Sequence, residues 1–467
     1  MIHAMKNRLK KLLVLALAAM LLPLPVQADV LVDSQGDAWH FGFGQCDIVP
    51  DQTGSDPLYI AGYNSGLEIT GVLDLCQARA VWLDAGGDGV LLIGVDCVAL
   101  ASGTVEQIRA ALADIPGCAA INVYATHTHA GIDTLGLWGP VGVDGKNDAY
   151  MASLVSAAEK AGRDAAASRR EGRMYYGVAQ TQNMYRDSRY PIVCDENLYC
   201  LRMEAADGGK GLRMYFYGAH AESLRGDNRL LSRDFAGLLC DGMTEITGDD
   251  TLFLPGAIGG LIMTKAFVAD TGKHAVENLH ITAEKLLDYA QTITPDRERE
   301  IAPVMTSARQ RFTVPMDNSG FLLFKFLGIL DNKAVPGESA TGYLVETEMN
   351  LLQLGDITLA LIPGELFPEL VTGEAYGDAN PNGVNPRPLA DIAASYGREN
   401  LLIVGLANDE VGYIVPPTDF LLNEEAPYLA RIKDYKGEDH YEETNSVGPE
   451  CAGAIADAFE ALLQEMQ

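Results

Sequence analysis

No two of the eight cysteines in this chain of 467 residues stand at CxxC spacing. That lack excludes the zinc-ribbon and dithiol-redox classes. An even count permits disulfides in an oxidising compartment. Cys194 and Cys200, which flank a short loop, are the simplest pair to join. Structural bridges or buried thiols are expected here, not cysteine chemistry. Basic side chains are also scarce, with 34 Lys and Arg against 64 Asp and Glu and a net charge of −30. A field of that sign excludes nucleic acid and anionic membranes as partners held by overall charge. Small molecules and uncharged lipid head groups remain open. Beyond the N-terminus no apolar run reaches the ~20 residues of a membrane-spanning helix. No Pro/Ser linker, charge block, low-complexity tract or internal repeat divides the chain.

The N-terminus has its own character. Lys6, Arg8, Lys10 and Lys11 precede an apolar run from Leu12 to Leu24, and Val26–Gln27–Ala28 forms a small-x-small cleavage site before Asp29. This is the pattern of a secretory signal peptide over residues 1–28. No cysteine follows the cleavage site directly, so no lipid anchor is expected. Removing the leader takes away four basic and no acidic residues, leaving 30 basic against 64 acidic side chains, a balance of −34. The expectation is an exported protein, secreted or periplasmic. Residues 29–467 are long enough for one large domain.

Runs over 80–84 and 90–95 flank Gly86–Gly87–Asp88–Gly89, the pattern of a hairpin. Helical periodicity covers 104–115 until Pro116–Gly117 ends it. Helices are expected at 147–169, 275–292 and 451–466, and strands at 211–218, 342–353, 357–363 and 401–406. The mixture predicts an α/β (mixed α+β) fold, with sheets of mixed strands covered by helices.

Five strand-like segments end on residues that could hold a metal. The run Ile121–Asn122–Val123–Tyr124–Ala125 leads to Thr126–His127–Thr128–His129. On a strand, residues i and i+2 share a face, so His127 and His129 would project side by side. Imidazole near neutral pH keeps a free lone pair and is the commonest metal ligand. Tyr215–Phe216–Tyr217 leads to His220. Ala360–Leu361–Ile362–Pro363–Gly364 leads to Glu365. Leu402–Ile403–Val404 leads through Ala407–Asn408 to Tyr413. Thr251–Leu252–Phe253–Leu254 leads into a Gly-rich loop. Two histidines and a carboxylate with an open position form the ligand shell of many catalytic zinc sites. Taken singly, a histidine pairs with a backbone carbonyl more often than with a metal, Glu365 could cap a turn, and Tyr413 could be core.

The order of the motifs resembles the catalytic domain of neutral ceramidases. Gly62–Tyr63–Asn64, Gly71–Val72–Leu73–Asp74, Ala78–Arg79–Ala80 and Gly94–Val95–Asp96 are similar to the family opening. Ala125–Thr126–His127–Thr128–His129–Ala130–Gly131 resembles its ATHTHSG motif. Met184–Tyr185–Arg186–Asp187–Ser188 is similar to its Asn-Arg-Ser segment. Gly218–Ala219–His220 with Leu231–Ser232–Arg233–Asp234–Phe235–Ala236–Gly237, then Pro363–Gly364–Glu365, Ala407–Asn408 to Gly412–Tyr413, and His440–Tyr441–Glu442 to Gly448–Pro449 follow in the family's order, over roughly residues 35–465. No counterpart of the family's C-terminal immunoglobulin-like domain is expected within residues 29–467.

The resemblance implies Zn2+ as cofactor, held by His127, His220, Glu365 and Tyr413 at the C-terminal ends of strands. It implies substrate or oxyanion contacts from His129, Tyr441 and Arg186, and an N-acyl sphingoid lipid as the related enzymes' substrate. One departure stands out. The family's nucleophilic serine falls at Ile262, which has neither a proton to lose nor a lone pair. A shift by two would offer Thr264, against the flanking match at Phe253 and Gly259. The expectation is therefore an exported zinc-dependent hydrolase of an amide or ester bond using zinc-bound water, with His129 as acid or base. The alternative is an inactive metal-binding homologue that holds a lipid, saccharide or protein.

Overall fold

The computed structural model describes residues 28–50, 56–186, 189–260 and 262–467. All but Ala28 of the expected leader lies outside the described residues, as do Asp187 and Ser188. Among the described residues no helix is long and apolar enough to cross a membrane.

Two mixed sheets pack face to face. The larger runs, in order, through Asp250–Pro255, Leu212–Tyr217, Asn197–Ala205, Arg170–Gln180, Trp39–Asp47, Gln77–Asp84, Gly89–Val95 and Cys118–Ala125, with Arg299–Ile301 beside Arg170–Gln180. The smaller runs through Asp29–Gln35, Val304–Pro315, Tyr343–Leu354, Ile357–Leu361 and Asn400–Val404, with Lys333–Pro336 beside Tyr343–Leu354. Period-2 alternation assigns each strand's side chains to two layers. Val81, Leu83, Val90 and Leu92 of one sheet meet Leu352, Leu359, Leu361 and Val404 of the other in the central core. The opposite faces are covered by helices. Asp148–Ala167 and Ser102–Leu112 pack on the larger sheet through Leu154, Ala158, Ala161 and Ile108. Cys451–Glu465 packs on the smaller through Ile455, Phe459 and Leu462. Asp234–Thr247 and Ala275–Gln291 cover the other end of the larger sheet. The result is helix, sheet, sheet, helix, the mixed architecture that the sequence predicts.

The 80–95 hairpin forms as expected, with Gly86 at φ +90° in the turn. A φ of that sign is open to glycine and costly for most other residues. Asn147 caps the helix that follows it by accepting from Tyr150 N. Cys200 is a buried thiol, not half of a bridge to Cys194, and burial pushes its pKa up to about 12.

Candidate metal centre

Parallel strand pairs in both sheets end beside one another, which gathers their following loops. Strand Cys118–Ala125 stops at Ala125, and Thr126 N then donates to Val95 O at 3.0 Å. His127 lies beyond the strand at φ +62°. The expected strand alternation is therefore not what aligns the two histidines. A left-handed turn at His127 folds the pair together, with Nε2 of His127 and Nε2 of His129 3.1 Å apart. A non-glycine residue in that region costs roughly 1–2 kcal/mol, and such strain persists only where the surroundings over-determine it. Here Thr128 N donates to Cys97 O, Thr128 Oγ1 to Ser232 O and His129 N to Ala221 O, at 3.2, 2.9 and 3.0 Å.

Strand Leu212–Tyr217 runs parallel to Asp250–Pro255, so the residues after each also meet. His220 donates to Ile262 O twice, from its backbone N at 2.8 Å and from Nδ1 at 2.9 Å. In the smaller sheet, Ile357–Leu361 and Asn400–Val404 are parallel, and their continuations form a short parallel ladder that pairs Glu365 with Tyr413. Gly364 permits this approach, because a Cβ there would stand 2.6 Å from Gly412 O. Ala125 N donates to Leu406 O at 3.1 Å and joins the two sheets at the site.

His127, His129 and His220 are buried, with one donor atom from each mutually close enough to hold one metal ion. Nδ1 of His127 faces Val98 O at 2.7 Å, and a carbonyl can only accept. The proton of a neutral His127 is thus on Nδ1, and likewise for His220. Both Nε2 lone pairs then face Glu365 Oε2, at 3.5 Å from His127 and 3.0 Å from His220. Burial lowers the pKa of His127 to about 4 and lowers those of His129 and His220, so the imidazoles are neutral. Burial raises that of Glu365. One proton on Glu365 satisfies His220, and a His129 proton on Nε2 satisfies His127 across the 3.1 Å contact. With a cation present, His127 and His220 would turn their Nε2 lone pairs to it beside Glu365 Oε2, the atom both already face. Tetrahedral zinc with bonds of about 2.0–2.1 Å to nitrogen holds its ligand atoms roughly 3.3–3.4 Å apart, close to the separations seen. The donor set fits zinc. Donation of the outer ring nitrogen to a carbonyl is the usual support of a metal-bound histidine.

Tyr413 hydrogen-bonds Glu365 and stands 3.2 Å, oxygen to oxygen, from Tyr441. Arg186 is not brought to this group. It is exposed, on a two-residue strand against Met263–Thr264, and does not line the cavity. The buried arginine of that segment is Arg189, which binds Asp419, Glu442 and Glu443, each at 2.8 Å, and so fixes the turn carrying Tyr441. Ile262 does not line the cleft through its side chain. That side chain is fully buried, its carbonyl orients His220, and Met263 faces the cavity. Thr264 Oγ1 is buried against Ser223 Oγ at 3.3 Å.

Sequence reasoning missed Glu222. Its Oε2 lies 3.7 Å from His129 Nδ1 and accepts the Tyr63 hydroxyl, while Arg225 approaches Oε1 at 3.4 Å. Tyr63 stacks edge-on against His129, and Gly62 touches that ring so closely that a Cβ would stand 2.5 Å from it. The signal was present as His220–Ala221–Glu222, a carboxylate two residues past a ligand candidate. Glu410, also unnoticed, is half-buried near Glu365, and loss of solvent and that neighbour raise its pKa.

These groups form the floor of a cavity of about 630 Å³. Its walls are largely apolar, from Leu135, Trp138, Met316, Phe321, Phe324 and Val447, and Arg431 stands near the mouth over the Tyr441 ring at 5.0 Å. A few convergent polar groups at the base of an apolar cleft is the usual form of a small-molecule site.

No protein-family model matches the chain, and no curated protein matches it in sequence. Solved structures do. The chain resembles neutral ceramidase from Pseudomonas aeruginosa with a TM-score of 0.71 at 16% identity, over 92% of this chain and 74% of that one. A ceramidase complexed with C2 gives 0.69 at 16% identity, over 92% and 75%. The chain has the fold of these enzymes.

Proposed function

We propose that the chain is a zinc-dependent hydrolase of an amide or ester bond in an N-acyl lipid, with water as nucleophile. The observation that carries this is the convergence of the His127 and His220 lone pairs on Glu365, at the base of an apolar-walled cavity. His127, His220, Glu365 and Tyr413 would hold the ion. When bound, zinc supplies Lewis acidity toward a carbonyl oxygen and toward water.

The remaining roles belong to the chain's own side chains. A proton on His129 Nδ1, the ring nitrogen nearer Glu222 Oε2 at 3.7 Å, would leave Nε2 free to act as base once the ion takes the His127 lone pair. Burial keeps His129 neutral and ready to accept. It takes the proton of the attacking water as the oxygen bonds to the carbonyl carbon. It then returns that proton to the leaving nitrogen as the C–N bond breaks. The Tyr441 hydroxyl, 3.2 Å from that of Tyr413, donates to the carbonyl oxygen as it gains charge. Tyr413 donates to Glu365 and orients it. A hydroxyl nucleophile is disfavoured because Ile262 has none and Thr264 is turned away from the cavity. The apolar walls suit an acyl chain, and the N-acyl sphingoid substrates of related enzymes are the first to try. The leader-like N-terminus supports export.

Metal analysis and turnover on a panel of N-acyl amides and esters test this. One zinc per chain and chelator-sensitive hydrolysis are expected. A chain that binds zinc and lipid but turns nothing over would be the inactive homologue, and one without zinc would defeat both readings.

A further inference from the structure

The cavity's apolar wall does not stop at its mouth. Helix Ser319–Phe326 forms part of the lip, started by Asn318, whose Oδ1 accepts from Gly320 N and Phe321 N. Phe321 and Phe324 line the cavity. The next turns face outward, and Leu323, Phe326 and Leu327 are 56%, 63% and 57% exposed. Leu429, 74% exposed, lines the same mouth and lies against the helix, 3.9 Å from where a Cβ on Gly320 would stand. The outer patch and the inner wall are thus one apolar surface that turns over the lip. Phe326 is held edge-on against Tyr343 at 5.2 Å, so the helix presents these side chains in place.

Charge selects the occupant. The stretch from Ser319 to Leu330 contains no acidic residue, in a chain with 64 of them. Lys325 lies within it and Arg431 beside it at the mouth. A second copy of this chain and an anionic membrane both carry the sign of this molecule's net charge, so each is repelled by the molecule as a whole. A surface of electrically neutral head groups meets neither objection. Apolar side chains enter the acyl boundary while a lysine extends its ammonium to the head groups, as in interfacial helices. We propose that the lip formed by Ser319–Phe326 and Leu429 docks this protein on a neutral lipid surface, so that a lipid passes from the bilayer into the cavity along continuous apolar surface. The proposal deepens the hydrolase reading, but its measurement does not depend on turnover.

The test is co-sedimentation of the full chain with vesicles of pure phosphatidylcholine. Wild type should pellet with them. Leu323→Glu with Phe326→Glu should lower the bound fraction about ten-fold, with an unchanged melting temperature and zinc content. That variant should hydrolyse a water-soluble short N-acyl amide as wild type does, and the same amide in vesicles far more slowly. Phe326→Trp supplies a second readout, since its emission should shift to the blue when neutral vesicles are added. Absence of wild-type binding, equal binding by the double variant, or an unshifted Trp emission would overturn the proposal. So would a wild-type dimer that the double variant makes monomeric, because the patch would then belong to a second copy. Vesicle binding by a chain that hydrolyses nothing would keep the docking and refute the hydrolase.

Discussion

The floor of the cavity and its lip are built on opposite terms. At the floor the ligand candidates are buried and tied by hydrogen bonds to groups distant in the chain: His127 to Val98, His220 to Ile262, Glu365 to Tyr413. At the lip Leu323 and Phe326 of one short helix face outward. A floor that must hold an ion at fixed distances needs over-determined geometry, and even a left-handed histidine is tolerated there. A lip that meets a fluid surface needs only apolar area. The comparison predicts that floor substitutions change metal content and chemistry, whereas lip substitutions change only access.

The largest effect should come from the ligands. His220→Ala or His127→Ala should remove the zinc and with it all turnover, as read by metal analysis of the purified protein. His129→Ala is the sharper contrast, because it sits 3.1 Å from a ligand nitrogen. It should retain most of the zinc and lose about 10²–10⁴-fold in turnover. Loss of zinc in that variant would reassign His129 as a ligand. Glu222→Gln keeps the shape but weakens the pull on His129 Nδ1, and turnover should fall by roughly 10–100-fold with zinc in place.

Acid should act on the floor through its buried imidazoles. An unfolded histidine takes its proton near 6.5, while His127 in the fold does so only at about 4. Between those values the unfolded state binds more protons, so stability falls as pH falls. Each such imidazole should cost up to about 1.4 kcal/mol per pH unit in that window. Glu365 and Glu410, whose pKa values are raised, act in the opposite sense, so zinc-stripped wild type and His127→Ala are compared by denaturant melts at pH 7 and pH 5. The wild type should lose more, and an equal change in both would show that His127 is not held neutral. The smallest effect should be that of Ile262→Val. The carbonyl that orients His220 is kept, the buried side chain loses one methylene at roughly 0.5–1.5 kcal/mol, and turnover should be nearly unchanged. Thr264→Ala should change turnover only a few-fold, and complete loss with zinc still bound would instead favour a hydroxyl nucleophile.

What was legible in the sequence was local. The apolar runs ending at Ala125, Tyr217, Leu361 and Val404 are strands because both of their faces are buried, and burial on both sides writes a continuous apolar run. Helix Asp148–Ala167 carries its period and its Asn147 cap openly. Strands Arg170–Gln180 and Asn197–Ala205 were not legible. Their charged residues look exposed until Arg202 meets Glu298 at 2.7 Å, a partner 96 residues away. Glu222 was hidden for the same reason, since Tyr63 and His129 arrive from distant segments. His127 and His129 were placed together rightly but for the wrong cause, because alternation on a strand cannot foresee a left-handed turn. Arg186 was taken from the order of the motifs, which does not show which arginine the fold buries.

The central claim is that the convergent donors are a working zinc site, and a zinc titration tests it most directly. Protein stripped by chelator should regain hydrolysis of a short N-acyl amide in proportion to added zinc, with a break at one equivalent per chain. Turnover indifferent to zinc, or no saturation at one equivalent, would contradict the account.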